Sequence, residues 1–396
     1  MKKQNRVIMI VTDSLGIGGD KEAAKYRDKG ANTFLHISQT NLLEIPTWKK
    51  LGIDSIAKLT GFNKAVNQTA YMARMQEISN AKDTLAGHWE MMGIKTETPF
   101  PVFTDTGFPD DMIKVLEKAF DGRKIVANAS YSGTVVLNKF ANQEINDNKI
   151  IVYTSSDSVL QICGHEEHMG LDKLYEYSQK ARAICDSNPK WRVGRIIARP
   201  YISENGSWKR TSNRHDYAVT PPKITILDEL SKKGTKVIGV GKINDIFVGQ
   251  GINESHRSTS DDNGMDITID LVTKDTKNEF IFINLVQFDS DYGHRRDPEG
   301  YAKNINRFDI KLAKLINAMK EDDLLIITSD HGNDPTFPGS NHTREQVPVT
   351  IFSKSFEAKP KSLKEFKGFG TVGNIVARVF GIDNVDTGED RFDEIK

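Results

Sequence analysis

The chain has 396 residues, 38% hydrophobic and 27% charged, the balance of an ordinary globular protein with room for a large core and two domains. Its 54 Lys and Arg cancel its 54 Asp and Glu, so no overall field favours nucleic acid or an anionic membrane, and neither is an expected partner. Two cysteines without paired spacing, Cys163 and Cys185, speak against a disulfide framework, rule out a thiolate-only metal site and point to a reducing compartment.

The first apolar run, Val7-Ile8-Met9-Ile10-Val11, follows two lysines but is too short for a secretory signal. Asp13 also stands where a cleavage site would need small residues. The run reads instead as a buried strand leading into Ser14-Leu15-Gly16-Ile17-Gly18-Gly19. No stretch approaches the roughly 18–20 apolar residues of a bilayer span, so the expectation is a soluble, cytoplasmic protein. Further runs begin at Lys236, Phe280 and Leu324 and end abruptly before Lys242, Phe288-Asp289 and Asp330-His331. Continuous rather than alternating apolar runs fit strands covered on both faces, and helical patterns at 223–233 and 300–320 lie between them. The expected fold class is α/β, a mostly parallel sheet flanked by helices. Ligands of such sheets collect beyond the carboxyl ends of the strands, which here carry Asp13, Lys242, Asp289, Asp330 and His331.

The stretch 99–218 differs. It opens at Pro99-Phe100-Pro101, closes near Pro221-Pro222, and holds its own strands (149–155, 195–199) and a helix around 171–186. It reads as an inserted α+β cap for substrate recognition, leaving 1–98 and 219–396 as a discontinuous metal-binding core.

Three local groups carry metal chemistry: Asp13; Asp289 with His294; and Asp330-His331 with His342 eleven residues on. Each alone is ordinary, since a lone Asp after a strand is usually a turn or cap residue. Together they supply six oxygen and nitrogen ligands, enough for two ions of Mn²⁺, Zn²⁺ or Mg²⁺ that clamp a phosphoryl transfer. Asp83-Thr84 opens a helix and by itself reads as a cap. A threonine there also faces the anion-attracting end of the helix, and a neighbouring metal centre would activate its hydroxyl, so Thr84 is the candidate nucleophile. For the substrate's phosphate, the basic stretch 192–215 offers Arg195 first and Arg199 or Arg210 second, with Lys242 at a core strand end. Ser155 and Asp157, after a cap strand, are candidates for sugar hydroxyls. Trp89 and Phe103 are assigned no chemistry.

These segments resemble the phosphopentomutases of the alkaline phosphatase superfamily essentially end to end. The most specific are VTDSLGIGG (11–19), DTLAGHWEMMG (83–93), YTSSDSV (153–159), GRIIARPY (194–201), RTSNRHDYA (210–218), GKINDIF (241–247), FDSDYGHRRDPEGYA (288–302) and SDHGNDPTFPGSNHTREQVPV (329–349). The resemblance implies an alkaline-phosphatase-like core and Thr84 as a phosphorylated threonine bridging two Mn²⁺ ions. It assigns Asp13, Asp330 and His331 to one ion and Asp289, His294 and His342 to the other. It also implies activation by a sugar bisphosphate such as glucose 1,6-bisphosphate and pentose phosphates as substrates; no protein partner is predicted. One departure is Gln287, where the family pattern has an acidic residue. A two-metal phosphatase, an enzyme like cofactor-independent phosphoglycerate mutase and a non-catalytic sugar-phosphate-binding relative are the alternatives.

Overall fold

The apolar runs become strands that are buried on both faces. In the computed structural model, which describes residues 4–62, 67–155 and 158–395, the strands Arg6–Thr12, Glu279–Leu285 and Asp323–Thr328 are buried along their whole length. They pair in parallel with Arg6–Thr12 in the middle, so that Ile10 aligns with Ile283 on one side and Ile327 on the other. Lys236–Val240 adds a parallel strand beside Glu279–Leu285, and Glu254–His256 another outside it. Because all these strands run the same way, the residues after Thr12, Leu285 and Thr328 emerge side by side at one edge.

Beyond Asp323–Thr328 the sheet turns mixed. Val347–Phe352 pairs antiparallel with it, Tyr71–Gln76 antiparallel with that, and Phe366–Lys367 adds a short parallel strand, giving eight strands. Tyr71–Gln76 did not stand out as an apolar run because it carries Arg74 and Gln76. The helical patterns at 223–233 and 300–320 are realised as Ile226–Lys232 and Pro298–Ala318. Pro298–Ala318 starts with Pro at its first position, and its cap Asp297 accepts from the Gly300 N–H. It buries Tyr301, Ile305, Phe308, Leu312 and Leu315 on one stripe against a cluster that includes Ile8, Ile10 and Trp48.

The chain divides into two compact units, one of Met1–Thr98 with Pro221–Lys396 and the other Pro99–Thr220. The second has its own six-stranded sheet. Strand alternation gives that sheet two packed faces. Ile150, Val152, Leu160, Ile162, Ile196 and Ala198 pack with residues of the helices Asp110–Ala119 and Leu171–Ser187. Ile151, Tyr153, Cys163 and Tyr201 pack under the helix Gly133–Asn146. Among the described residues no helix is long and apolar enough to cross a membrane.

Candidate metal centre and nucleophile

Three neighbouring strand ends bring the acidic candidates together. Asp13 follows Arg6–Thr12, Asp330 follows Asp323–Thr328, and Asp289 lies in a wide helical turn, Phe288–Gly293, just after Glu279–Leu285. That turn is closed by a bond from the His294 N–H to the Asp289 carbonyl at 2.9 Å, an i→i+5 step of the kind that recurs at functional sites. Donor atoms of Asp289, His294 and His342 all lie within 4.8 Å of one another, as do those of Asp13, Asp289 and His331. Asp289 belongs to both groups. Asp330 joins through its Oδ2, 3.5 Å from His331 Nε2.

The ligand candidates share one pattern of anchoring. Each imidazole spends Nδ1 on a main-chain carbonyl at 3.0 Å: His331 on Gly332, His294 on Ser340 and His342 on Lys82. Nε2 is thereby turned toward the cluster in all three. Each carboxylate likewise has one oxygen held by a donor. Asp13 Oδ2 accepts from Asn284 Nδ2 at 3.0 Å, Asp330 Oδ1 from the Ser14 N–H at 3.0 Å, and Asp289 Oδ1 from Asn333 Nδ2 at 2.7 Å. The opposite oxygens of Asp13 and Asp330 are buried and make no hydrogen bond, although His331 Nε2 stands 3.4 Å from the first and His88 Nδ1 3.3 Å from the second. Such atoms are costly unless a cation takes their lone pairs. His294 and His342 also point their Nε2 atoms at each other, 3.0 Å apart, where two lone pairs need a positive charge between them. This donor set fits divalent cations, and the orienting hydrogen bonds behind it are those that metal ligands ordinarily have.

The electrostatics agree. Burial, then Asp330, pushes the Asp13 carboxyl up. Burial opposes ionisation of Asp289, but the imidazoles of His342 and His294 outweigh it and hold the carboxyl well below its usual range. Burial also opposes a charge on His331, yet Asp330 and Asp13 raise it well above its ordinary value. The cluster concentrates negative charge that a bound cation would balance.

Thr84 opens the helix Thr84–Met91, whose cap Asp83 accepts from the Ala86 N–H, and its hydroxyl lies 3.2 Å from His331 Nε2. Gly87, one turn on, is needed for this approach, because a Cβ there would overlap the Asp330 carbonyl oxygen.

The chain matches the model of the metalloenzyme superfamily over residues 5–384. It is 55% identical to a phosphopentomutase from Mycoplasmopsis pulmonis over 396 residues, covering all of both chains. It is 48% identical to one from Clostridium tetani, covering 97% of this chain and 96% of the relative. The chain belongs to the phosphopentomutase family. It is therefore an isomerase of the metalloenzyme superfamily. At 12% identity it shares its fold with a Pyrococcus horikoshii protein, covering 96% of this chain and 98% of that one, TM-score 0.50. A Leishmania mexicana phosphoglycerate mutase is equally similar, with 12% identity, TM-score 0.50, and 98% and 97% of the two chains covered. These two establish the α/β fold.

The remaining candidates are distributed over both units. Lys242 follows the strand Lys236–Val240 in the unit that carries the candidate ligands. In the other unit Arg195 and Arg199 lie on the strand Arg195–Glu204, with Arg195 Nη1 3.9 Å from Asp216 Oδ2 and Arg199 Nε donating to Gln161 Oε1 at 3.0 Å. Arg210, at the end of the strand Ser207–Arg210, occupies space that a side chain at Gly133 would need. The Ser155 carbonyl accepts from Thr104 Oγ1 at 2.7 Å. Asp157 lies outside the described residues.

Several contributors escaped sequence reading. Asn284 is the one polar residue in the run Phe280 to Leu285, and that interruption was a usable signal. His88 donates Nδ1–H to the Thr84 carbonyl at 2.9 Å, and its Nε2 stands 3.4 Å from Asn284 Nδ2. Ser14 holds Asp330 from a left-handed backbone, φ 70°, which no sequence feature marked. Gln287 accepts from the Asp261 N–H at 2.8 Å and donates to Asp291 Oδ2 at 2.7 Å. An acidic side chain there would face the Asp291 carboxylate, and the amide removes that repulsion.

Proposed function

We propose that this protein interconverts ribose 1-phosphate and ribose 5-phosphate, and the 2-deoxyribose equivalents, through a phosphorylated Thr84 and a sugar bisphosphate. The observation that carries the reading is the convergence of Thr84 Oγ1, His331 and the buried carboxylate oxygens of Asp13 and Asp330 that make no hydrogen bond, at one sheet edge. Family membership supplies the substrate class. Asp13, Asp330 and His331 would hold one ion, Asp289, His294 and His342 a second, with Mn²⁺ the expected metal in the cytoplasm. When bound, such ions lower the pKa of an attacking hydroxyl and screen the phosphoryl oxygens.

The chain's own residues do the rest. The helix that starts at Thr84 turns its free N–H groups toward a phosphate on Oγ1. The phosphoryl group moves from Oγ1 to the free hydroxyl of a pentose monophosphate: the P–O bond to Thr84 breaks, a new one forms to the sugar oxygen, and the proton that the sugar hydroxyl gives up is balanced by the one that Thr84 Oγ1 recovers. The bisphosphate then presents its other end, and the second phosphate returns to Oγ1. Glucose 1,6-bisphosphate would prime Thr84. Arg195, Arg199, Arg210 and Lys242 are assigned to the distal phosphate, Ser155 and Asp157 to sugar hydroxyls, and the cap segment 99–218 to excluding water, which would otherwise hydrolyse the phosphoenzyme.

The test incubates ribose 1-phosphate with the protein, Mn²⁺ and a trace of glucose 1,6-bisphosphate, following ribose 5-phosphate and free phosphate. Metal-dependent isomerisation that disappears in Thr84→Ala is the expected result. Free phosphate without isomerisation would make the protein a phosphatase instead.

A further inference from the structure

Arg344 lies two residues after His342, and its side chain is only 2% exposed. A buried guanidinium is unfavourable unless its N–H groups find acceptors. Here Nε donates to Asp20 Oδ2 at 3.0 Å, and Nη2 to the Glu77 carbonyl at 2.6 Å. Nη1 donates to Glu77 Oε2 at 2.6 Å, to the Ser79 carbonyl at 2.8 Å and to the Ala81 carbonyl. The Tyr26 ring centre is 5.2 Å from the guanidinium carbon. Three of the acceptors are main-chain carbonyls of a single stretch, 77–81, which runs directly into Asp83 and Thr84.

That stretch is tied to the same strand connection a second time. The Lys82 carbonyl takes the His342 Nδ1–H at 3.0 Å, while Lys82 Nζ reaches Asp28 Oδ2 at 2.7 Å. The same Asp28 oxygen accepts the Arg344 main-chain N–H at 2.7 Å. Arg344, the segment 81–82, His342 and Thr343 thus close a ring. A shift of the 77–81 backbone would move Thr84 and release the His342 imidazole together. A buried ion pair that merely fastened two surfaces has no need of donors aimed at the carbonyls of Glu77, Ser79 and Ala81, which lead to Thr84.

We infer that Arg344 is a positioning residue: it sets where Thr84 Oγ1 stands relative to His331 and couples that placement to the orientation of His342. The inference rests on the proposed roles of Thr84 and His342.

Arg344→Lys in the full chain is the test, since lysine keeps the charge but cannot span the three carbonyls. The expected result is a kcat for ribose 1-phosphate isomerisation lowered about 100-fold with KM changed by less than about threefold. Mn²⁺ titration calorimetry on the unphosphorylated protein should show one of two binding steps weakened about 10–100-fold. Parent-like kcat and Mn²⁺ affinity in Arg344→Lys would overturn the inference. So would a variant whose kcat per folded molecule equals the parent's. If Arg344→Lys does not fold, Asp28→Asn loosens the ring from its far side without touching the guanidinium. It should shift kcat and Mn²⁺ affinity the same way, and no shift would again defeat the inference. A parent protein that fails to isomerise pentose phosphates defeats the proposed function instead, while the metal titration still reads the hold of Arg344 on His342.

Discussion

Gly87 shows how narrow the tolerances are around Thr84. The helix Thr84–Met91 crosses the loop after Asp323–Thr328 so closely that a Cβ at 87 would meet the Asp330 carbonyl oxygen and Asp330 Cβ. Backbone atoms cannot swing aside as a flexible side chain can, so the helix itself must move. Gly87→Ala is expected to lower kcat about 100-fold, the scale of an ångström's misplacement of a reacting group. Its stability loss should be only the about 1–3 kcal/mol typical of overpacking, read by urea unfolding. Parent-level turnover in this variant would mean that the helix position is not critical to the chemistry. Asn284, Ser14 and Asn333 act at the same scale: each holds one carboxylate oxygen in place and so determines which oxygen is left to face the cluster.

The central strands separate stability from chemistry along their length. At their amino ends Arg6, 1% exposed, meets Asp323 through two bonds of 2.9 Å, Nε to Oδ1 and Nη2 to Oδ2. Arg6 Nη2 also donates to the Val272 carbonyl at 2.9 Å, and Glu279 Oε2 lies 3.9 Å from Nη1. The carboxyl ends of the same strands carry Asp13 and Asp330. Asp323→Ala strips a buried guanidinium of its bidentate partner and is expected to cost about 3–5 kcal/mol in urea unfolding. Its folded fraction should keep the parent kcat, because the lesion lies at the opposite end of the strands from the site. A stability change under 1 kcal/mol would mean that water or Glu279 compensates.

Each of the two units has its own hydrophobic core, which favours separate unfolding transitions over one. Asp216 reports on the second unit. Burial opposes its ionisation, but Arg214, bonded through Nε and Nη2 at 2.6 Å each, holds the carboxyl below its usual range, with Arg195 adding to the effect. A depressed folded-state pKa stabilises wherever the unfolded carboxyl would already be ionised, above about pH 4, and that contribution fades as pH falls through the folded value. Asp216→Asn should therefore lower the urea midpoint of one transition at pH 7, and the gap to the parent should close in acid below about pH 4. A gap that persists unchanged at pH 3 would show that the charge of Asp216 is not what stabilises this unit.

Much of the core sheet was legible in the sequence because strands covered on both faces must be apolar throughout, and such runs stop where the chain reaches the edge. That logic alone placed Asp13, Asp289 and Asp330 at the carboxyl ends of strands, and the α/β class followed from it; that the three strands are neighbours was decided by their pairing. Tyr71–Gln76 was not legible, since its pairing partner Val347–Phe352 lies far along the chain and no local period announces it. What only the tertiary structure decided is which atoms meet. The Ser14 N–H reaches Asp330 across 316 positions, and the Lys82 carbonyl orients His342 across 260. These are main-chain groups, present in every residue type, so their partners depend on where the backbone passes and not on which side chain it carries. Residue types alone determined the donor set; the path of the backbone determined which oxygen and which nitrogen of each face the cluster.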